Sequence, residues 1–271
     1  MPGSLNMNNQ ECSVDPQIQQ ERPNSLPAIS QNSEASISRL IEEPASKASD
    51  RAFPLDNKDL DCVSDESLVD LESAPILHDL GKTTVVRLSK DLVLKGGGDV
   101  LPCEAKVLQL VASKSNIRAP RVHRSLHFME DTKYSSTMGC IVMDYIDGEP
   151  LDKCWRDLSD EQKMDIARQT AQMIIEIQSI KLSETGPIGG GPCRGRFFTH
   201  YSTGPFKNVA EFKGWFNHKL DICRTYKHTS SDLAPFKFTE FVLIHQDISP
   251  RNLILDRNGL VWLVDWADAG S

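Results

Sequence analysis

Two carboxylates and a carboxamide near the end of the chain have the spacing of a site for a divalent cation and a phosphoryl group. His245, Asp247 and Asn252 crowd one polar loop, and Asp265 follows after two short apolar runs. Oxygen ligands of this kind suit magnesium, and magnesium suits phosphate. They can act together only if the fold brings the loop and Asp265 to one point.

The flanking sequence supplies the means. Residues 241–244, Phe-Val-Leu-Ile, form an apolar run bounded by polar residues, which predicts a buried strand leading into the loop. Residues 253–255 and 260–264 are two further strand-like runs, joined by Asp256, Arg257, Asn258 and Gly259. Asn-Gly is a hairpin signal because both residues tolerate positive φ. The hairpin would carry Asp265 back beside the loop.

Length and composition bound the rest. A chain of 271 residues holds one large domain or two small ones, and 39% hydrophobic with 25% charged residues is ordinary for a globular protein. The formal net charge of -8 is unevenly placed. Residues 1–75 carry 14 acidic and 5 basic residues, leaving 24 acids and 25 bases for the remainder. A near-neutral remainder gives no reason to expect nucleic acid as a partner. The seven cysteines are scattered without a C-x-x-C pair, which argues against a zinc site and a disulfide framework. A reducing compartment follows. With no basic-then-apolar leader and no apolar run of membrane-spanning length, the expectation is a soluble, cytoplasmic protein that engages no membrane.

Residues 1–75 are rich in Ser, Asn, Gln, Pro, Asp and Glu, with Phe53 as their only aromatic. Such a segment cannot bury enough apolar surface to offset its ordering entropy, so it is expected to be a disordered acidic extension, available for docking. Short helices could flicker at 38–43 and 66–71. Order is expected from Ile76. Residues 83–88 and 92–95 read as strands around the tight turn 89–91. Pro102 then opens a helix with the stripe Glu104, Val107, Leu108 and Val111, broken at Ala119-Pro120. Residues 122–129 and 138–145 are two more strand candidates. Strand, strand, helix, strand, strand makes a small α+β lobe over 76–146.

Beyond Asp147-Gly148 the texture turns helical. Ser159 and Gln162 form a capping box that opens a helix to about Ile180, with Met164, Ala167, Ala171, Ile174 and Ile177 as its expected core face. Residues 186–195 are too rich in glycine to be anything but loop. Asn208 and Glu211 open another helix, buried through Phe212, Trp215 and Phe216.

The segment HQDISPRNLIL followed by VWLVDW resembles the catalytic and metal loops of the kinase fold. Its wording is most similar to the aminoglycoside phosphotransferase-like family of small-molecule kinases, over roughly residues 76–271. The resemblance implies a bilobal α+β fold of the protein-kinase type. A small antiparallel-sheet N-lobe for nucleotide would span 76–146. A mainly helical C-lobe with the catalytic and metal loops would span 147–271, truncated at its end because family members continue into further helices.

The implied activity is an ATP- and magnesium-dependent transfer of the γ-phosphoryl group to a hydroxyl of a small-molecule acceptor. Asp247 would accept or orient the hydroxyl proton, and Asn252 and Asp265 would ligate magnesium. His245 would be structural, bonded to the backbone of the metal loop. Lys95 would hold the α- and β-phosphates and be oriented by Glu104. Residues 141–146 resemble the hinge, where the backbone C=O near Asp144 and N–H near Ile146 would meet adenine. The long path between Ile146 and His245 exceeds that of protein kinases and favours a small-molecule acceptor, whose pocket 189–196 could help to line.

Two departures accompany the resemblance. Gly96, Gly97 and Gly98 follow Lys95, whereas a phosphate-covering loop precedes it, and the turn 89–91 has no glycine. The end at Ser271, soon after Asp265, motivates the alternative of a catalytically impaired, pseudokinase-type nucleotide-binding or scaffold protein.

Overall fold

The computed structural model describes residues 52–70, 74–129, 137–195, 197–198 and 203–271. A short helix, α1 (Asp65–Val69), precedes five strands: β1 (Ile76–Leu80), β2 (Thr83–Arg87), β3 (Leu92–Gly97), β4 (Val122–Met129) and β5 (Thr137–Asp144). They form one sheet in the order β1-β2-β3-β5-β4, with every neighbouring pair antiparallel. Helix α2 (Pro102–Lys114) connects β3 to β4 and starts on its proline, where the missing N–H costs nothing.

The two-residue period of the strands sorts the core into two layers. Leu94, Cys140 and Val142 face Leu55, Leu68 and Leu88 on one side. Val93, Lys95 and Ile141 belong to the other face, where Ile141 packs on Val100 and Ala105 beside and within α2. This alternation sends the Lys95 side chain towards the helix, and the lysine is buried at 7% exposure.

Two expectations change here. First, β1 was missed, so the lobe begins with three strands before the helix. The turn that precedes the β2–β3 pair is Gly81-Lys82, and it, not 89–91, is the place to compare with a phosphate-covering loop. Gly96 and Gly97 lie within β3, paired with Thr84 and Thr83, as their position after Lys95 required. Second, the expected disorder of residues 1–75 fails at its far end. Phe53, Leu55 and Leu68 are buried, and the Leu55 N–H donates to the Leu88 carbonyl at 2.8 Å. Arg124 of β4 donates to the carbonyls of Val63 and Leu60 at 2.6 and 2.7 Å. Three apolar side chains and these polar ties suffice to dock a segment of low overall hydrophobicity. Residues 1–51, with the expected helix at 38–43, lie outside the described residues.

The remaining chain is mainly helical. It runs through β6 (Gly148–Pro150), α3 (Leu151–Cys154), α4 (Asp160–Ser179), β7 (Lys181–Leu182), α5 (Val209–Thr225), β8 (Phe241–Val242), β9 (Leu253–Asp256) and β10 (Val261–Leu263). Strands β10, β9 and β6 form one small sheet, and β7 pairs with β8. The Ser159–Gln162 capping box of α4 is present in both directions. The expected core face of α4 holds only at its end: Ile177 is buried as expected, but Ile166 and Met173 are the other inward residues, while Ala167 and Ala171 are exposed and Met164 is 64% exposed. The inward face carries the polar Gln169. Its Oε1 accepts from the Val261 N–H at 3.0 Å and its Nε2 donates to the Gly259 carbonyl at 2.9 Å. A polar residue satisfied by a hairpin disguised the stripe.

Helix α5 starts on Asn208, whose side chain accepts from the Glu211 N–H, and buries Phe212 and Leu220. Trp215 and Phe216 are half-buried in an aromatic group with Phe198, Phe206 and Phe238. The largest core joins the two lobes. Val107, Leu108 and Val111 of α2 pack with Leu151, Ile166, Met173, Ile177, Leu243, Leu263 and Trp266. Burying such side chains contributes about 1.5–3 kcal/mol each. Among the described residues, no helix is long and apolar enough to cross a membrane.

Candidate active site

Lys95 is brought out of β3 beneath α2, where Glu104 meets it. Its Nζ lies 2.7 Å from Glu104 Oε1 and 2.7 Å from Asp265 Oδ1. Glu104 is 1% exposed, whereas the Asp265 side chain remains 45% exposed and so meets solvent as well as the lysine. Burial alone would lower the Lys95 pKa, but the two carboxylates outweigh it and hold the ammonium above its usual range. Burial likewise pushes the Asp265 carboxyl upward, and the Lys95 charge reverses this to leave it below its ordinary value. For Glu104, burial is the stronger effect and its carboxyl is raised, opposed by Lys95. One cation therefore spans a closed carboxylate and an open one.

The loop after β8 is built around a neutral imidazole. His245 is 2% exposed, edge-on to the Trp266 ring with centroids 4.6 Å apart. Its Nε2 is 3.1 Å from the Val264 carbonyl, which can only accept. Its Nδ1 is 3.3 Å from the Asp247 N–H, which can only donate. These partners together require one protonated and one bare ring nitrogen. Burial pushes the His245 pKa down to about 4, consistent with that tautomer. The imidazole thus ties the Asp247 backbone to the residue before Asp265.

Asp247 and Asn252 are locked to each other. Asn252 Nδ2 donates to both the Asp247 carbonyl and Asp247 Oδ2, each at 2.9 Å. Because the amide nitrogen is committed twice, the carboxamide can offer only its oxygen to a cation. Arg251 Nη2 also contacts Asp247 Oδ2. The hairpin then returns the chain: Leu255, Ile254 and Leu253 pair with Val261, Trp262 and Leu263. Its turn differs in one respect from expectation. Gly259 enters the left-handed region at φ 76° and Asn258 does not. Asp256 Oδ1 instead accepts from the Asn258 and Leu260 N–H groups at 2.8 and 2.9 Å.

Two non-glycine residues at the site hold left-handed backbone: Gln246 at φ 69° and Asp265 at φ 62°. Such conformations are uncommon for these residue types and concentrate where function fixes the geometry. Hard oxygen donors on Asp265 and Asn252 fit magnesium. Among the described residues, no group of three or more His, Cys, Asp or Glu could hold a metal. A site with so few protein ligands suits an ion that is also held by phosphate oxygens and water.

The structure thus brings Lys95, Glu104 and Asp265 together, and joins His245, Asp247 and Asn252 in one loop whose imidazole reaches the backbone before Asp265. Asp144 and Ile146 lie apart from both groups, at and beyond the end of β5. The Asp144 side chain is engaged there, accepting from the Arg121 N–H at 2.9 Å and lying 2.7 Å from His123 Nε2. A cavity of about 390 Å³ opens between this segment and the β9–β10 turn, lined in part by Tyr145, Ile146, Asp147, Arg257 and Trp262. Of the loop expected at 189–196, Arg196 lies outside the described residues. Sequence reasoning overlooked two cations: Arg251 on Asp247, and Arg194, whose guanidinium reaches Asp99. The i,i+4 spacing of Asp247 and Arg251 was a readable signal for the first.

A family model described as the phosphotransferase enzyme family matches residues 81–271. Among solved structures, a ternary complex of streptomycin, ATP and APH(2")-IIa is 17% identical, with 77% of this chain and 72% of that chain covered and a TM-score of 0.47. The GDP complex of wild-type aminoglycoside 2'-phosphotransferase-IIIa is 15% identical over 76% of this chain and 70% of its own, also at 0.47. WbdD in complex with a kinase inhibitor is 12% identical, over 71% of this chain and 32% of its own, at 0.37. Among curated proteins, none matches the sequence.

Proposed function

From a chain that belongs to the phosphotransferase enzyme family, we propose an ATP- and magnesium-dependent enzyme that moves the γ-phosphoryl group to a hydroxyl of a small-molecule acceptor. The observation that carries the reading is the meeting of Lys95 with both Glu104 and Asp265, next to a loop in which Asn252 fixes Asp247. Transfer of a phosphoryl group demands positioning and charge neutralisation more than covalent chemistry from the protein. Each half of the site provides one of these.

Asp247 is the group that orients the acceptor hydroxyl and takes its proton as the new oxygen–phosphorus bond forms and the bond to the β-phosphate oxygen breaks. A positioned base of this kind contributes about 10²–10⁴ in rate. Lys95 neutralises the α- and β-phosphates, and Glu104 holds its ammonium in place. Asp265 and Asn252 would hold magnesium, which supplies charge neutralisation at the phosphate oxygens when bound. His245 stays neutral and serves architecture, because a proton on Nδ1 would break its bond with the Asp247 N–H. The backbone near Asp144 and Ile146 is assigned to adenine by its place between the lobes.

The acceptor is a small hydroxylated molecule, and the near-neutral charge of residues 76–271 does not select a polycation. The test is ATP consumption against a panel of hydroxylated acceptors, with Asp247→Asn as the comparison. We expect acceptor-dependent turnover to fall by about 10²-fold or more in the variant. Turnover that survives the change intact would remove Asp247 from the role of base.

A further inference from the structure

The glycine-rich segment 186–195 does more than pass over the surface. On the C-lobe side it is fixed mainly through its backbone. The Gly186 N–H donates to Ser271 Oγ at 2.6 Å and the Ser271 N–H to the Gly186 carbonyl at 3.0 Å. Pro187 bridges Gly270, and Cys193 exchanges two backbone hydrogen bonds with Thr203 at 2.6 and 3.1 Å. At its far end, Gly195 runs against the catalytic loop. A Cβ there would stand 2.6 Å from Gln246 Oε1 and 3.4 Å from Asp268 Cβ, and φ is +96°. Glycine holds that left-handed backbone without strain, and any side chain added there would have to displace Gln246.

On the N-lobe side the contacts are of another kind. Arg194 Nη1 donates to the Asp99 carbonyl at 3.0 Å, and Nη2 lies 3.7 Å from Asp99 Oδ1. Lys106 of α2 covers Gly189 so closely that a Cβ there would come within 2.3 Å of its Nζ. Asp99 sits between the end of β3, which carries Lys95, and the start of α2, which carries Glu104. The segment is therefore rooted in one lobe mainly by main-chain bonds and reaches the other, in these contacts, by side chains. Side-chain ties break and re-form without unravelling a ladder.

We propose that 186–195 is a strap across the nucleotide cleft and that Arg194 is its positioning residue, holding the turn between Lys95 and Glu104 in the closed arrangement that retains a nucleotide. The proposal rests on the nucleotide reading of the site given above. The same guanidinium also acts at a distance: burial pushes the Asp268 carboxyl up, and Arg194 is the leading charge opposing that rise. No contact between Arg194 and phosphate is needed. The strap works by resisting separation of the lobes, so it favours any nucleotide that requires them closed, with or without a γ-phosphate.

That last point makes the idea testable. The full chain and its Arg194→Ala, Arg194→Lys and Lys95→Ala variants are titrated calorimetrically with the magnesium complexes of ATP, ADP, GTP and GDP. Losing one charge-assisted hydrogen bond across the cleft should weaken the di- and triphosphate of the bound base alike, by about tenfold. Arg194→Lys should recover part of this, and its thermal melt guards against misfolding of the alanine variant. Faster release of nucleotide in stopped-flow displacement should account for the loss. Unchanged affinities in Arg194→Ala, alongside lost binding in Lys95→Ala, would overturn the strap while leaving the site reading intact. A loss confined to triphosphates would overturn it too, in favour of a direct γ-phosphate contact. Failure of the unaltered chain to bind any of the four would remove the nucleotide reading, and the strap with it.

Discussion

Lys95 and His245 are ionisable residues buried to similar depth on the two sides of Asp265, and the protein treats them in opposite ways. Lys95 is surrounded by carboxylates and kept charged. His245 is surrounded by a carbonyl, an N–H group and an indole ring, and kept neutral. The lysine half of the site depends on balanced charge. The histidine half depends on hydrogen-bond direction and shape. The phosphoryl transfer proposed above calls for both, because the framework must not itself respond to the charge it manages.

The contrast breaks most severely at the ion pair. Lys95→Met should cost about 3–5 kcal/mol in urea denaturation, because it strands Glu104 as a buried charge without its partner. Adding Glu104→Leu should return most of that loss while leaving nucleotide binding abolished. If the double variant is no more stable than the single one, Glu104 is not held by Lys95 in the way described.

The histidine half should reveal itself through pH. The folded pKa of about 4 lies below the ordinary histidine value of 6.5. Between those values the unfolded chain takes up a proton that the folded chain refuses, so stability rises with pH across the window and is lost as pH falls from about 6.5 to 4. The full difference is roughly 3 kcal/mol. His245→Asn should be less stable at pH 7 yet lose less on going to pH 4.5. Parallel pH dependence in the two proteins would show that His245 is not the group refusing the proton.

A third substitution calibrates both. Ser159→Ala removes the cap of α4, where the Ser159 side chain accepts from the Gln162 N–H at 3.2 Å, far from any buried charge. It should cost about 1 kcal/mol at neutral pH, with little change in nucleotide affinity. A cap that altered nucleotide affinity would mean that general destabilisation, not charge or tautomer, underlies the larger effects.

How much of this was legible varied with distance along the chain. The polar loop from His245 to Asn252 and its hairpin were readable because Asp247, Asn252 and Asp265 are linked by a short strand–turn–strand whose pattern is local. The Ser159 cap and the proline start of α2 were readable for the same reason. The β1 strand was not, since Ile76–Leu80 mixes His and Asp into an edge strand with two exposed large apolar residues. The inward face of α4 was hidden because Gln169 belongs to it for reasons that lie ninety residues away, on the hairpin. The tie between Arg194 and Asp99 spans 95 positions, and no local pattern marks it.

Arg87 carries a final consequence. Its guanidinium stands over the Phe53 ring at 4.5 Å and over the Tyr145 ring at 3.7 Å, while donating to the Ser89 and Lys90 carbonyls at 3.2 Å. Tyr145 is the residue between Asp144 and Ile146, so the stack couples a phenylalanine ahead of the sheet to the crossing point of the lobes. A shortened protein that starts at the apparent domain edge near Ile76 would leave this cation with one aromatic face and strip Leu55 and Leu68 from the sheet. The smallest piece suited to expression or crystallisation therefore keeps Phe53, well inside what composition alone marks as dispensable.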